Sequence, residues 1–212
     1  MLKHLIIIGV GGFAREVYWH AQDSLGYGTE WDLKGFLDGD VKLEAEEYEK
    51  LKLPVLGDVN TYEIQKDDVF ICAVAEPSIK KKLVGYITKR KGRFINLIHK
   101  TAIVHGTVKM GIGNIISSLD TIHDHVVIGD FVTINNRSGL GHDARIGDYS
   151  SIMGLVGISG GTRIGKETYW ATNSIAMPNS KIDDGAFIGV ASVVFRHVKE
   201  NQKVFGNPAM PI

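Results

Sequence analysis

The chain has 212 residues, 44% of them hydrophobic and 23% charged, an ordinary composition for one large or two small globular domains. Lys+Arg and Asp+Glu number 24 each, so no net field selects nucleic acid or an anionic membrane as a partner. A single cysteine, Cys72, excludes an internal disulfide framework, and its setting in the apolar run VFICAV points to a buried, inert thiol.

Up to about residue 98, short apolar runs alternate with amphipathic ones. LIIIG (5–9) predicts a buried strand, and FAREVYWHAQD a helix with Val17 and Ala21 four apart. LKGFLD (33–38) and VFICAV (69–74) predict further strands. SIKKKLVGYITKR predicts a helix with Ile79, Leu83 and Ile87 on one face, and FINLI (94–98) closes the region. The basic residues Lys80–Lys82, Lys89, Arg90 and Lys91 are expected on a solvated face of that helix. Strand–helix–strand alternation at this spacing argues a small parallel sheet covered by helices. The apolar stretch Leu5–Val10 is too short to cross a membrane and lacks a signal-peptide pattern, so a cytoplasmic protein is expected. GVGGFA (9–14) follows the first strand and opens a helix. Its Gly9, Gly11 and Ala14 fit a loose dinucleotide fingerprint, with Asp38 placed to meet a ribose.

Beyond residue 103 the periodicity changes. Every sixth residue from Val104 to Val194 is apolar, sixteen positions in all. Four places further on in each hexad the residue is usually small or branched, as at Val126, Ser138, Ala144 and Ser174. Neither a helical period nor strand alternation produces this register. It is the mark of a solenoid whose short strands stack coil on coil. Leu140 then points inward, and His142 and Asp143 project outward near a corner. An imidazole can take a proton at neutral pH, and a carboxylate beside it fixes its tautomer.

The hexad pattern resembles that of the left-handed β-helix acyltransferases. A small nucleotide-binding-like domain placed before it, with INLIHKTAIV at the junction, resembles the sialic-acid O-acetyltransferase and bacterial sugar-nucleotide N-acetyltransferase group. The resemblance implies an α/β domain with a small, half-Rossmann parallel sheet over residues 1–98. It implies a left-handed parallel β-helix, three hexads per coil, over residues 99–212. It further implies a homotrimer with active sites between neighbouring prisms, and acetyl-CoA as cosubstrate. In that family a His-Asp or His-Glu pair begins five residues before the glycine of an Ile-Gly pair, and His142-Asp143 stand so before Gly147.

By the same resemblance Gly160, with Gly161 in SGG, supplies an oxyanion donor, and Thr172, Gly189, Val190 and Ala191 contact coenzyme A. Asn135 lies near the acceptor. Eighteen-residue stacking puts Asp124 beneath His142 and His125 beneath Asp143, so this second pair is expected to line the same groove. Gly11, Gly12, Phe13, Asp38 and the Ala75-Glu76-Pro77 loop would hold the nucleotide of a sugar-nucleotide acceptor. Phe13 stands where several relatives have histidine, and Glu76-Pro77 where they have an asparagine-bearing loop. His105 and His123 also stack, but the third position is Gly141, so no three-imidazole metal site is expected. The implied activity is N-acetylation of a nucleotide-linked amino sugar in glycan or O-antigen synthesis. Sugar O-acetylation, by the same base, is the alternative within the fold. A non-catalytic, oligomeric sugar-nucleotide-binding protein is the alternative outside it.

Overall fold

The structure is a computed structural model and describes residues 2–39 and 45–212. It divides into two compact units between Leu97 and Ile98.

The first unit is a five-stranded parallel sheet in the order β3-β2-β1-β4-β5. These strands are β1 (Lys3–Ile8), β2 (Trp31–Asp38), β3 (Val55–Asp58), β4 (Asp68–Cys72) and β5 (Arg93–Phe94). Helices α1 (Gly12–Gln22), α2 (Ala45–Glu49) and α3 (Pro77–Lys89) connect them. The central strands β1 and β4 read as unbroken apolar runs because a parallel sheet is covered on both faces. Leu5 to Ile8 and Val69 to Ile71 are fully or almost fully buried. Helix α1 buries Ala14, Val17 and Ala21, its i, i+3, i+7 stripe. Pro77 opens α3, where a missing N–H costs nothing.

The sequence missed α2 and β3, which are short and carry little apolar signal. Of FINLI, only Phe94 joins this sheet, through β5. On α3 the buried face is Pro77, Lys80, Leu83, Val84 and Ile87, while Ile79 is 44% exposed. Lys80 therefore departs from the solvated face expected of the basic run, being only 1% exposed. It falls at the i−3 position from Leu83, on the side facing the sheet. Burial pulls its pKa down to about 7. Cys72 is buried, and burial pushes its thiol up to about 12, so it is no nucleophile.

The second unit is a parallel solenoid with three faces. Face 1 stacks Ile103–Val104, Thr121–Ile122, Gly139–Leu140, Gly157–Ile158, Ile175–Ala176 and Val193–Val194. Face 2 stacks Lys109–Met110, Val127–Ile128, Arg145–Ile146, Arg163–Ile164, Lys181–Ile182 and His197–Val198. Face 3 climbs from Ile115–Ile116 through Tyr169–Trp170 to Lys203–Phe205, where Met210–Pro211 adds an antiparallel pairing. Partners lie eighteen residues apart over most of the stack, as in Thr121↔Gly139↔Gly157. The second residue of each strand points inward, so the sixfold apolar register becomes one continuous core from Ile116 to Val204.

Two further devices hold the coils together. Several polar residues of the inner corner register accept an amide from the coil above. Asn114 accepts from Val132 N–H at 2.7 Å, Asp120 from Ser138 at 2.9 Å, Ser138 from Val156 at 3.1 Å and Ser150 from Thr168 at 3.1 Å. The second device is conformational. At every sixth residue from Gly113 to Ala191 the backbone takes positive φ, with residues as bulky as Leu119, Phe131, Tyr149 and Leu155 among them. In isolation each such L-residue costs about 1–2 kcal/mol. Stacked ladder bonds on both sides hold the turn.

Asp120 gives this corner register a pH dependence. It is fully buried and also accepts Ser117 N–H at 2.8 Å, yet burial outweighs both amides and raises its pKa to about 8. A carboxyl that binds its proton more tightly when folded loses stability as pH rises from about 4 through about 8, by up to about 1.4 kcal/mol per pH unit. Asp120→Ser, which retains an acceptor as Ser138 does one coil above, is expected to flatten that slope and to be more stable than the parent at pH 8. Urea unfolding across this pH range checks it, and identical slopes would remove Asp120 as the source.

Candidate functional sites

In the first unit the loops after β1, β2 and β4 open at the carboxyl ends of the strands. Chain direction diverges there, because β1 lies between β2 and β4. Open α/β sheets bind ligands at such a point. A cavity of about 340 Å³ lies there, walled by Gly9–Phe13, Asp38, Gly39, Ala73, Val74 and the α3 residues Ile79, Lys82 and Leu83. Gly9 has φ +112°, and a Cβ on it would stand 3.1 Å from the Ala73 carbonyl oxygen, so glycine is required between β1 and β4. Gly11 is the N-cap of α1, and no side chain caps it. The first amides of α1 are left to solvent or a ligand. Asp38 accepts Gly39 N–H at 2.7 Å and the Tyr48 hydroxyl at 2.6 Å, which orients its carboxylate.

The sequence thus placed Gly11, Gly12, Phe13 and Asp38 on this cavity. Ala75 and Glu76 are not among its lining residues, and Glu76 instead caps α3 and accepts the Ser78 hydroxyl at 3.2 Å. The α3 wall was missed because Ile79 and Lys82 look like ordinary helix-surface residues.

In the solenoid, the edge between faces 1 and 2 carries the ionisable pairs. His142 Nδ1 lies 2.9 Å from Asp143 Oδ2, and the two side chains are 72% and 63% exposed. With Nδ1–H donating to the carboxylate, Nε2 keeps its lone pair free. The ring lies over Gly160, where an added Cβ would be 2.6 Å from Nε2. Gly141 is equally constrained, since a Cβ there would meet Gly160 N at 2.6 Å. The second pair stacks one coil below, with Asp143 N–H donating to the Asp124 carbonyl at 3.0 Å. His125 Nδ1 lies 2.8 Å from Asp124 Oδ2, while the Thr107 hydroxyl donates to Asp124 Oδ1. The Thr107 hydrogen bond, then that of His125, holds the Asp124 carboxyl below the usual range. His105 and His123 meet edge to face with centroids 5.2 Å apart. Among the described residues no three His, Cys, Asp or Glu side chains cluster as metal ligands.

The backbone at this edge differs from that of its neighbour. Between faces 2 and 3, Asp130, Asp148 and Asp184 each accept a corner amide one coil below, from Ile112, Asp130 and Lys166. Those carboxylates need the space of a glycine, and a Cβ on Gly129 would meet Asp148 Oδ1 at 2.3 Å. This accounts for the recurrent Ile-Gly-Asp. At the His142 edge no carboxylate covers the corner, and Gly160 N–H makes no hydrogen bond among the described residues. Gly161 differs. Its amide donates to the His142 carbonyl at 2.9 Å, so it holds the coil and is not free as an oxyanion donor.

Asn135, Thr172, Gly189, Val190 and Ala191 lie on another edge, between faces 3 and 1. Asn135 Oδ1 accepts the Asn136 amide at 2.9 Å. Thr172 carbonyl accepts Ala191 N–H at 3.0 Å. Gly189 admits the Phe205 ring, and Val190 and Ala191 are exposed. Within one chain, face 1 separates these residues from His142.

An α/β domain with a crevice at the carboxyl ends of its strands, followed by a three-faced hexapeptide solenoid with His-Asp pairs on one edge, defines a two-domain hexapeptide-repeat protein. Residues 4–87 match the family described as the PglD N-terminal domain. Over the whole chain the fold is that of a histidine-to-asparagine mutant of perosamine N-acetyltransferase from Caulobacter crescentus, solved with CoA and GDP-perosamine. Identity is 22%, coverage 100% of this chain and 98% of that one, and the TM-score 0.88. The acetyltransferase domain of PglB from Neisseria gonorrhoeae, solved with acetyl coenzyme A, is similar at 24% identity, 100% coverage of both chains and TM-score 0.87. WeeI from Acinetobacter baumannii matches at 21% identity, 99% and 100% coverage and TM-score 0.71.

Proposed function

We propose that the protein transfers the acetyl group of acetyl-CoA to the amino group of a nucleotide-linked amino sugar, with His142 as general base. The observation that carries this is an imidazole fixed by Asp143, Nε2 free, lying over a glycine whose amide is unpaired. The likeness in fold to proteins solved with CoA and with GDP-perosamine supports it. The acceptor nitrogen attacks the thioester carbonyl, and Gly160 N–H stabilises the oxyanion. Nε2 takes the proton from the tetrahedral adduct. As the C–S bond breaks, the departing thiolate receives that proton, and the amide and free CoA leave.

The crevice walled by Gly11, Gly12, Phe13 and Asp38 is assigned to the nucleotide. Thr172, Gly189, Val190, Ala191 and Asn135 reach His142 only if a second copy supplies their edge, which supports a homotrimer. The intervening face 1 agrees with this. Its outward residues Ile103, Thr121, Gly139, Gly157, Ile175 and Val193 carry no charge, and Leu119 and Leu155 stand exposed beside it. An uncharged face with exposed Ile103, Ile175, Leu119 and Leu155 fits an interface between copies. Among the described residues no helix is long and apolar enough to cross a membrane. We assign the reaction to the cytoplasm, in bacterial-type glycan or O-antigen synthesis.

Thiol release from acetyl-CoA with UDP-, GDP- and dTDP-linked amino sugars, and with matched hydroxyl sugars, tests the assignment. Release with an amino acceptor supports it. Release only with hydroxyl acceptors would make it an O-acetyltransferase, and no release despite nucleotide-sugar binding would leave a binding protein. Gly160→Ala is expected to lower kcat by about 10²-fold, because a displacement of the base of about 1 Å has that effect. Its thermal midpoint should hold, since the atoms nearest the new methyl belong to an exposed ring. Unchanged kcat would show that the ring position over Gly160 does not matter.

A further inference from the structure

The outward residues of face 2 run Lys109, Val127, Arg145, Arg163, Lys181 and His197, each in register with the next. Neighbouring strands lie about 4.8 Å apart, and like charges directly opposite one another destabilise a sheet. The same positions of face 1 are uncharged and the whole chain has no net formal charge, so composition does not account for the row. Part of it is engaged locally. Lys181 lies 3.0 Å from Asp183, and Arg163 Nη1 donates to the carbonyls of Asp143 at 2.6 Å and Gly161 at 3.3 Å. Lys109 and Arg145 have no carboxylate partner among the described residues. They face a hollow of about 210 Å³ that Thr107, His125, Asp143 and Arg163 also line, directly beside the His-Asp pairs. The nearby carboxylates are already engaged, Asp143 by His142 and Asp124 by Thr107 and His125.

We propose that this hollow is a phosphate-ester subsite, in which Lys109 and Arg145 clamp a diphosphate while Arg163, tied to two carbonyls, flanks it. A guanidinium presents paired N–H donors that match phosphate oxygens, and Lys109 adds a mobile point charge. The proposal rests on the transferase reading only for the source of the phosphate, because CoA and a nucleotide-linked sugar both carry a diphosphate.

The test has two arms. In the first, inorganic pyrophosphate is titrated calorimetrically into the parent protein, Arg145→Lys, and the Lys109→Ala/Arg145→Ala double variant at low and high salt. The parent should bind, more weakly at high salt. The double variant should bind about tenfold or more weakly, as the loss of charge-assisted hydrogen bonds requires, and Arg145→Lys should bind between the two. The double variant's thermal midpoint should be unchanged or higher, since like-charge repulsion is removed. Equal pyrophosphate affinity in parent and double variant, or none in the parent, overturns the site whatever the protein's activity. In the second arm, KM for acetyl-CoA and for the sugar acceptor are measured separately. A rise of about tenfold for one substrate, with kcat nearly unchanged, identifies the phosphate source. Unchanged KM for both would overturn its place in the reaction.

Discussion

His142→Ala is expected to reduce turnover by about 10²–10⁴-fold, the usual contribution of a positioned general base. Acetyl-CoA affinity should be nearly unaltered. The reason lies in the geometry of the edge. The ring is exposed, its Nδ1 is committed to Asp143, and Nε2 is the atom nearest a Cβ built on Gly160. Removing it leaves the coil intact, because the His142 backbone carbonyl still receives Gly161 N–H. Asp143→Asn should cost less, since it changes the orientation of the imidazole and not the group that carries the proton. Steady-state kinetics together with a direct acetyl-CoA titration check both. Undiminished turnover in His142→Ala would exclude it as the base and would shift attention to His125, which has the same Asp-oriented arrangement one coil lower.

The largest effect on stability is expected at Trp170. It is fully buried and replaces an aliphatic residue in a column where Ile152 lies below and Ile188 above. Ala176, the next inward residue along the chain, is a small member of the same core. Trp170→Ala would leave a cavity that a rigid stack of ladder bonds cannot close, at a cost of about 3–5 kcal/mol. The Nε1 donor has no hydrogen-bond partner among the described residues, a burial that by itself costs about 1–3 kcal/mol. Trp170→Phe removes that donor while keeping most of the ring, so it should lose far less than alanine. Urea unfolding followed by circular dichroism separates the two variants, and similar losses would mean that the column relaxes around the gap.

What the sequence disclosed was whatever depends on period. Sixfold apolar spacing located the inward column and the outward direction of His142-Asp143, because ladder bonds keep successive strands in register, while the three-hexad coil came from the family resemblance. Eighteen-residue spacing correctly stacked the Asp124-His125 pair beneath them. What it hid depends on which donor meets which acceptor. Gly160 and Gly161 are adjacent and chemically identical in the sequence, yet one amide is free and the other is bonded to His142. Lys80 sits in a run of three lysines, and only the helical phase against the sheet buries it. Asp120 occupies a position that serine holds one coil above, so its burial gave no compositional signal.

The positive-φ corner at every sixth residue has a consequence for how such a chain can change. The turn tolerates leucine, tyrosine, histidine, aspartate or glycine alike, so its side chain is free to be selected for chemistry while the backbone path stays constant. Length is more restricted: a single added hexad would carry every later outward group from its own edge to the next, and a whole circuit of eighteen residues restores it, although the last circuits pair sixteen apart, as in Lys181↔His197 and Phe187↔Lys203. Replacement in place and the gain or loss of entire circuits are therefore the changes that leave the outward groups of this half, His142 among them, on their own edges.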